Sequence, residues 1–241
     1  MEFEMTRSAR TPSPQQYEGY DLPFAGVEMV ALLSGGIYWP EHQTLLVADL
    51  HLEKMSSFAK SRQFLPPYDT GATIKRLADD VTATGAERII ALGDSFHRDE
   101  GTTTLSVDDA DALAVLTKRT DWIWIAGNHD PATHELGGNC CESVALNGLT
   151  LSHEPDAKVA NQIAGHLHPA AHVRMNGRSI RRACFVQDET RLIMPAYGVS
   201  TGSLNILNSA FAPVINREQM KISVIGRDQI YPVARRHLIG R

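Results

Sequence analysis

Cysteine is scarce in this chain. Its three copies, Cys140, Cys141 and Cys184, form no CxxC pair, and neighbours in sequence rarely bridge because the geometry is strained. A disulfide-stapled secreted fold is thereby excluded, and a reducing cytoplasm is the expected compartment. Long apolar runs are also missing: none approaches the roughly 18 residues needed to span a bilayer, and the N-terminus lacks the apolar centre of a signal peptide. No membrane partner is expected. Nor is positive charge in excess. With a net charge of −5 and a pI near 6.0, composition alone predicts no nucleic-acid partner, although bound divalent cations would offset negative charge locally. What is present is 43% hydrophobic content over 241 residues, enough to bury a substantial core as one domain or one domain with an extension.

The extension is N-terminal. Residues 1–22, with Glu2, Glu4, Arg7, Arg10, Pro12, Pro14 and a polar Ser13–Gln16 stretch, read as a mobile lead-in that buries too little to order itself, leaving 23–241 as a single domain. Val27–Leu32 and Ile37–Trp39, either side of Gly35-Gly36, read as strands, and Thr44–Ala48 as a strand apolar on both faces. Helices are predicted over Glu53–Arg62, from Asp69 or Thr70 to near Gly85, and through Ala110, Leu113, Val115 and Leu116. Between them Arg88–Leu92 and Trp122–Ala126 read as buried strands, a rhythm that predicts a parallel sheet. Beyond Pro131 the texture is more β-like: Asn147-Gly148 is a two-residue hairpin signal, and Ile222–Ile225 and Gln229–Val233 read as final strands.

The chemistry collects where the apolar runs stop. Thr44–Ala48 ends in Asp49-Leu50-His51; in an extended segment residues i and i+2 face the same side, so Asp49 and His51 can reach a common metal, or Asp49 can cap the helix that follows. Arg88–Leu92 ends in Gly93-Asp94, a carboxylate at the C-terminal end of a strand, where ligand sites of α/β sheets gather. Trp122–Ala126 ends in Gly127-Asn128-His129-Asp130, which is either a turn or a metal-binding amide carbonyl followed by an imidazole able to donate a proton. His153 follows the second arm of the hairpin, and Gly165-His166-Leu167-His168 repeats the i, i+2 spacing with two imidazoles. Five of the ten histidines lie in such fragments. His42, His134, His172 and His237 have no such neighbours and read as ordinary packed or surface residues.

In this order, Asp49-x-His51, Gly93-Asp94, Gly127-Asn128-His129-Asp130, His153 and Gly165-His166-x-His168 resemble the signature of the calcineurin-like metallophosphoesterases, over about residues 27–205. The surrounding text is similar to the bacterial ligase-associated DNA-damage-response endonucleases, phosphoesterases encoded beside a DNA ligase and a helicase. It comprises Val47–Lys54, Leu92–His97, Ser152–Pro155, Ala164–Pro169 and Met194-Pro195-Ala196-Tyr197-Gly198-x-x-Thr201-Gly202. The resemblance implies a four-layer α/β/β/α sandwich of two mixed sheets flanked by helices. It further implies a metal held by Asp49, His51 and His168, a second held by Asn128, His153 and His166, and Asp94 bridging both. Such nitrogen and oxygen ligands suit Mn first, then Fe, Zn, Co or Ni, over Mg or Ca, and the lack of a thiolate argues against a structural zinc. Water activated between two such ions would attack phosphorus, with His129 as proton donor to the leaving group and Asp130 orienting it.

Substrate choice is less legible. His172–Arg182 reads as a basic hairpin whose Arg174, Arg178, Arg181 and Arg182 either grip a phosphate backbone or guard a sheet edge. His97 either meets substrate or secures its loop, and Tyr197 and Thr201 either line the cleft or close the fold. The leading expectation is a phosphodiesterase or nuclease acting on DNA, associated by resemblance with ligase and helicase repair factors. The alternatives are a small-molecule phosphoesterase acting on nucleotides or cyclic nucleotides, which the acidic pI suits, and a non-catalytic scaffold of the same fold.

Overall fold

The computed structural model describes residues 19–53, 68–96, 105–128, 130, 136–175 and 177–240. The helix expected over Glu53–Arg62 falls outside them from residue 54 onward, as do His97, His129 and His134. Among the described residues two sheets stand face to face. The first has seven strands in sequence order: β1 (Gly19–Asp21), β2 (Val30–Leu32), β3 (Ile37–Trp39), β4 (Thr44–Val47), β5 (Arg88–Leu92), β6 (Asp121–Ile125) and β7 (Asn139–Cys141). Its first half is antiparallel, and β4 to β7 run parallel.

The second sheet has nine strands. Six form its upstream part: β8 (Ser143–Leu146), β9 (Leu149–Ser152), β10 (Gln162–Ala164), β11 (Pro169–Met175), β12 (Arg178–Gln187) and β13 (Arg191–Ile193). It is completed by β14 (Leu204–Asn205), β15 (Lys221–Ile225) and β16 (Ile230–Pro232). Asn147 and Gly148 turn β8 into β9 with φ of 47° and 77°, the twist a two-residue hairpin requires.

Alternation within the strands builds the layers. Leu46 of β4, Ile90 and Leu92 of β5 and Ile125 of β6 face Leu151, Ile163, Phe185 and Leu192 of the second sheet in one buried core. Their neighbours Leu45, Val47, Ile89 and Ala91 face the other way, against Ile74, Leu77 and Val81 of α1 (Asp69–Thr84) and Leu113 and Leu116 of α2 (Val107–Arg119). Being buried on both sides explains why these strands read as unbroken apolar runs. Ser106 caps α2 by accepting from Asp109 N, and Gly85 ends α1 in the left-handed region. The outer layer on the second sheet differs from expectation. Ile206, Phe211, Val214 and Ile215 cover Ala171, Cys184 and Val186, carried among the described residues by an irregular segment with one 3-10 turn, Ser209–Phe211. The turn amides are satisfied by side chains: Asn208 accepts from Ala210 N, and Asp188 from Asn216 N.

The lead-in is shorter than the sequence suggests. Gly19–Asp21 pairs with β2, and Leu22 is buried in the inter-sheet core, so the domain begins at least four residues before position 23; hydrogen bonding to an existing edge outweighs the low apolar content there. The strand expected over Val27–Leu32 is confined to its second half, because Phe24 and Val27 bridge one another across a tight turn. No described helix is long and apolar enough to cross a membrane.

Candidate metal centre

Parallel pairing puts the C-terminal ends of β4, β5 and β6 on one side of the first sheet, and the parallel β9 and β10 bring theirs to the same place from the second. The chain past β4 stays hydrogen-bonded to the chain past β5: Asp49 N donates to Gly93 O, His51 N to Asp94 O and Leu52 N to Ser95 O. The other sheet is tied in by the candidate ligand residues themselves. His166 N donates to both carboxylate oxygens of Asp49, at 3.0 and 3.2 Å, and His153 Nδ1 donates to Leu92 O at 3.0 Å. With that proton fixed on Nδ1, the Nε2 lone pair of His153 is the one presented to the centre.

Asp49, His51 and His168 form one group and Asp94, His153 and His166 a second, each with one ligand atom per residue lying within 4.8 Å of the others. In the first, His168 Nε2 stands 3.1 Å from Asp49 Oδ1 and 3.4 Å from His51 Nε2. In the second, His153 Nε2 stands 3.4 Å from Asp94 Oδ1 and 3.1 Å from His166 Nδ1. Atoms bound at about 2.1 Å to one cation, at tetrahedral or octahedral angles, lie about 3.0–3.4 Å apart, so both groups have the spacing of a divalent-cation shell. Two imidazole nitrogens and one carboxylate in each group, with no thiolate, suit a borderline ion such as Mn, Fe or Zn. Asp94 faces both groups: Oδ1 lies toward His153, and Oδ2 lies 3.9 Å from His51 Nε2.

The spacing of these ligands does not come from extended backbone. Asp49, His51, Asp94, His166 and His168 all have positive φ, of 54°, 44°, 47°, 67° and 44°. Asp and His are among the side chains that tolerate this left-handed region best, yet each such residue still costs about 1 kcal/mol or more. The i, i+2 relation therefore works through alternating left-handed residues in tight loops, and Asp49, buried and left-handed, is not a helix cap. The glycines before the ligands are set by close approach. A Cβ on Gly127 would lie 2.0 Å from Asp94 N, and one on Gly165 2.6 Å from Asp49 Oδ2.

Asn128 is exposed on the rim, its Nδ2 donating to Glu154 Oε1 at 2.8 Å, which leaves its carbonyl oxygen free to accept elsewhere. Glu154 is the residue sequence reasoning passed over: it sits beside His153 in the motif text, but only the fold shows that it orients Asn128. Asp130 also has a structural task not foreseen. Its Oδ1 accepts from Phe96 N at 3.0 Å and its Oδ2 from Gly127 N at 2.9 Å, lashing the β5 and β6 loops together. Burial pushes its carboxyl up from the usual aspartate range, against the pull of those two amides. Tyr197 closes the fold. It is fully buried, its hydroxyl donates to Asp80 Oδ2 at 2.8 Å, and Arg76 donates to its carbonyl at 2.8 Å. The next residue, Gly198, donates its N–H to Asp49 O, so this network underpins the first ligand. Thr201 Oγ1 is buried under the same loop.

The four arginines of the hairpin do not share one face. Arg174 and Arg181 stand on the side of His172 and Ser179, whereas the pleat turns Arg178 and Arg182 to the side of Ala171 and Val173. A cavity of about 870 Å³ opens on the other flank, against Asn128 and His153.

The chain matches no family model and no curated protein. Among solved structures it is similar to the Pseudomonas putida nuclease MPE, at 24% identity over 90% of this chain and 100% of that one, with a TM-score of 0.69. Two further matches are a protein of unknown function from Aquifex aeolicus and a phosphoesterase from E. coli. The first is 16% identical over 52% of this chain and 78% of that one, with a TM-score of 0.37. The second is 14% identical over 77% and 88%, with a TM-score of 0.34. The fold is thus that of the Pseudomonas putida nuclease MPE, and the two mixed sheets standing face to face are those the sequence led one to expect.

Proposed function

We propose that this protein is a dinuclear metal-dependent phosphoesterase of the calcineurin-like type that hydrolyses phosphodiester bonds, with DNA as its substrate and Mn²⁺ as its preferred metal. The observation that carries the reading is the convergence of two three-residue groups through Asp94, which belongs to the second and turns its other carboxylate oxygen toward His51 of the first. Bound there, two divalent cations would activate water and neutralise charge on the phosphoryl oxygens. The protein supplies the rest. Asp49, His51 and His168 would hold one ion and Asn128, His153 and His166 the other, with Asp94 serving both. Leu92 O and Glu154 aim His153 and Asn128. His129 donates a proton to the departing oxygen, on a loop whose ends Asp130 ties to the β5 loop.

The 870 Å³ cavity beside His153 favours a second reading, a small phosphodiester of nucleotide size. Hydrolysis by the Mn²⁺-loaded protein of a generic phosphodiester, a phosphomonoester, single-stranded DNA and nicked circular DNA tests both, with Asp94→Ala as control. Diester and DNA cleavage that vanish in the control support the nuclease. Activity confined to small esters selects the second reading, and no hydrolysis with two metals bound overturns both.

A further inference from the structure

The net charge of −5 hides a strong asymmetry. Residues 169–241 contain eleven Lys and Arg against four Asp and Glu, a net of +7, while residues 1–168 contain twelve against twenty-four, a net of −12. Such division of charge within one chain is a recognised mark of polyanion binding. The fold gathers part of the positive stretch into one place. β11 leaves the metal centre directly from His168, and its outer edge is covered first by β14, at Pro169 and Ala170. Further along, the C-terminal segment takes over that edge: Leu238 bridges Val173, and Ile239 N donates to His172 O at 2.9 Å. Because the bridge is antiparallel, the residues before Leu238 lie beside the residues after Val173. Exposed Arg235, Arg236 and His237 therefore stand next to exposed Arg174, at the outer part of a hairpin that also exposes Arg178, Arg181 and Arg182. Arg181 reaches inward, donating to both Ser203 O and Ser203 Oγ, and Leu204, the next residue, donates to His168 O.

The opposite flank has the opposite sign. The cavity against His153 and Asn128 is lined by Glu142, Glu154 and Asp156, with no Lys or Arg among its described lining residues. Edge protection does not account for the basic side: β11 is already covered, and Arg235, Arg236 and His237 lie in a 3-10 turn, not on a strand.

We propose that the β11–β12 hairpin and the C-terminal segment Arg235–His237 form one nucleic-acid backbone-binding surface, running outward from the His168 side of the centre. This rests on the phosphoesterase reading only for its position beside a reactive centre. Seven residues of β11 span about 20 Å, the length of about six nucleotides in a duplex strand. Arginines on both faces of the hairpin suit phosphates approached along a backbone, because each guanidinium grips phosphate without reading sequence. Nucleic acid is thus held on one side of the scissile bond, while the acidic flank repels its continuation.

The test is binding of a phosphorothioate-backbone oligonucleotide, single-stranded and duplex, to the Mn²⁺-loaded protein between about 50 and 200 mM salt. The triple variant Arg174→Glu, Arg182→Glu, Arg236→Glu is compared with Lys75→Glu, Lys118→Glu, Arg119→Glu, an equal change of charge at exposed positions of α1 and α2. Thermal unfolding reports that both variants remain folded. The expected result is a Kd at least about tenfold higher, and a salt slope reduced by about two to three, in the first triple alone. Equal weakening in both triples, or none in either, overturns the surface, as does wild-type preference for anionic vesicles or polyglutamate over the oligonucleotide. Binding through this face without hydrolysis of ordinary DNA would instead overturn the DNA-nuclease reading and leave the surface standing.

Discussion

At the scale of single residues, the proposed function separates groups that would hold metal from groups that would act on substrate, and substitutions should divide accordingly. His129→Ala is expected to lower turnover by about 10²- to 10⁴-fold with metal content unchanged, because it removes a proton donor and no ligand. Metal analysis alongside single-turnover hydrolysis checks this; loss of metal from the variant would make His129 a ligand instead. Gly127→Ala should fail differently. Its Cβ would fall 2.0 Å from Asp94 N and 2.5 Å from Asp94 Oδ1, and Asp94 is held in place by its carbonyl, which accepts from His51 N. We expect metal affinity to fall by at least tenfold and the melting temperature to drop, read by titration and calorimetry. These glycines were legible as punctuation in the sequence. Their reason, a neighbour from another strand, was not, because nothing local to Gly127 announces that Asp94 will pack on it.

Elements add a second kind of dependence, in the turns that join them. Asp188, between β12 and β13, accepts from Thr190 N, Arg191 N, Thr190 Oγ1 and Asn216 N, so one carboxylate closes the turn and pins the outer layer to the second sheet. Burial alone would raise its pKa, but the four donors outweigh it and hold the group below the usual aspartate value. A depressed carboxyl stabilises the fold fully above its unfolded pKa, near about 4, and that contribution is lost as pH falls through the lower folded value. Asp188→Asn should therefore unfold at lower temperature at neutral pH, by about 1–3 kcal/mol, and show a shallower loss of stability below about pH 4 than the parent. Parallel acid titrations of the two proteins decide it; superimposable curves would remove Asp188 from the account. The alternation that made β4, β5 and β6 readable is local, set by burial on both faces. The irregular layer over the second sheet has no period of its own and so gave no signal.

For the whole molecule, the centre is a joint between two sheets. Asp49 and Asp94 belong to the first, His153, His166 and His168 to the second, and each metal group draws from both. Metal binding should consequently brace the fold as well as serve chemistry. Saturation at about 100 times the dissociation constant adds about 2.7 kcal/mol, or about 5–10 °C for a domain of this size. Removing metal with a chelator should reverse that shift, and Asp94→Ala should show almost none of it; an equal melting temperature with and without Mn²⁺ would mean that the groups do not bind it.

The motifs, their order and the buried parallel strands could be read in the chain because each depends on neighbours in sequence: an apolar run, a glycine, then a ligand. The amino-acid sequence by itself thus determined the buried strands of the two sheets and which candidate donor atoms the chain carries. Only the tertiary structure decided how those donors divide into two groups around Asp94, that left-handed backbone aims them, that Glu154 and Asp130 hold the loops, and that the C-terminal arginines come to lie beside a hairpin some sixty residues earlier. Side-chain chemistry is carried by each residue wherever it goes, whereas distance between residues far apart in sequence exists only after the sheets have packed.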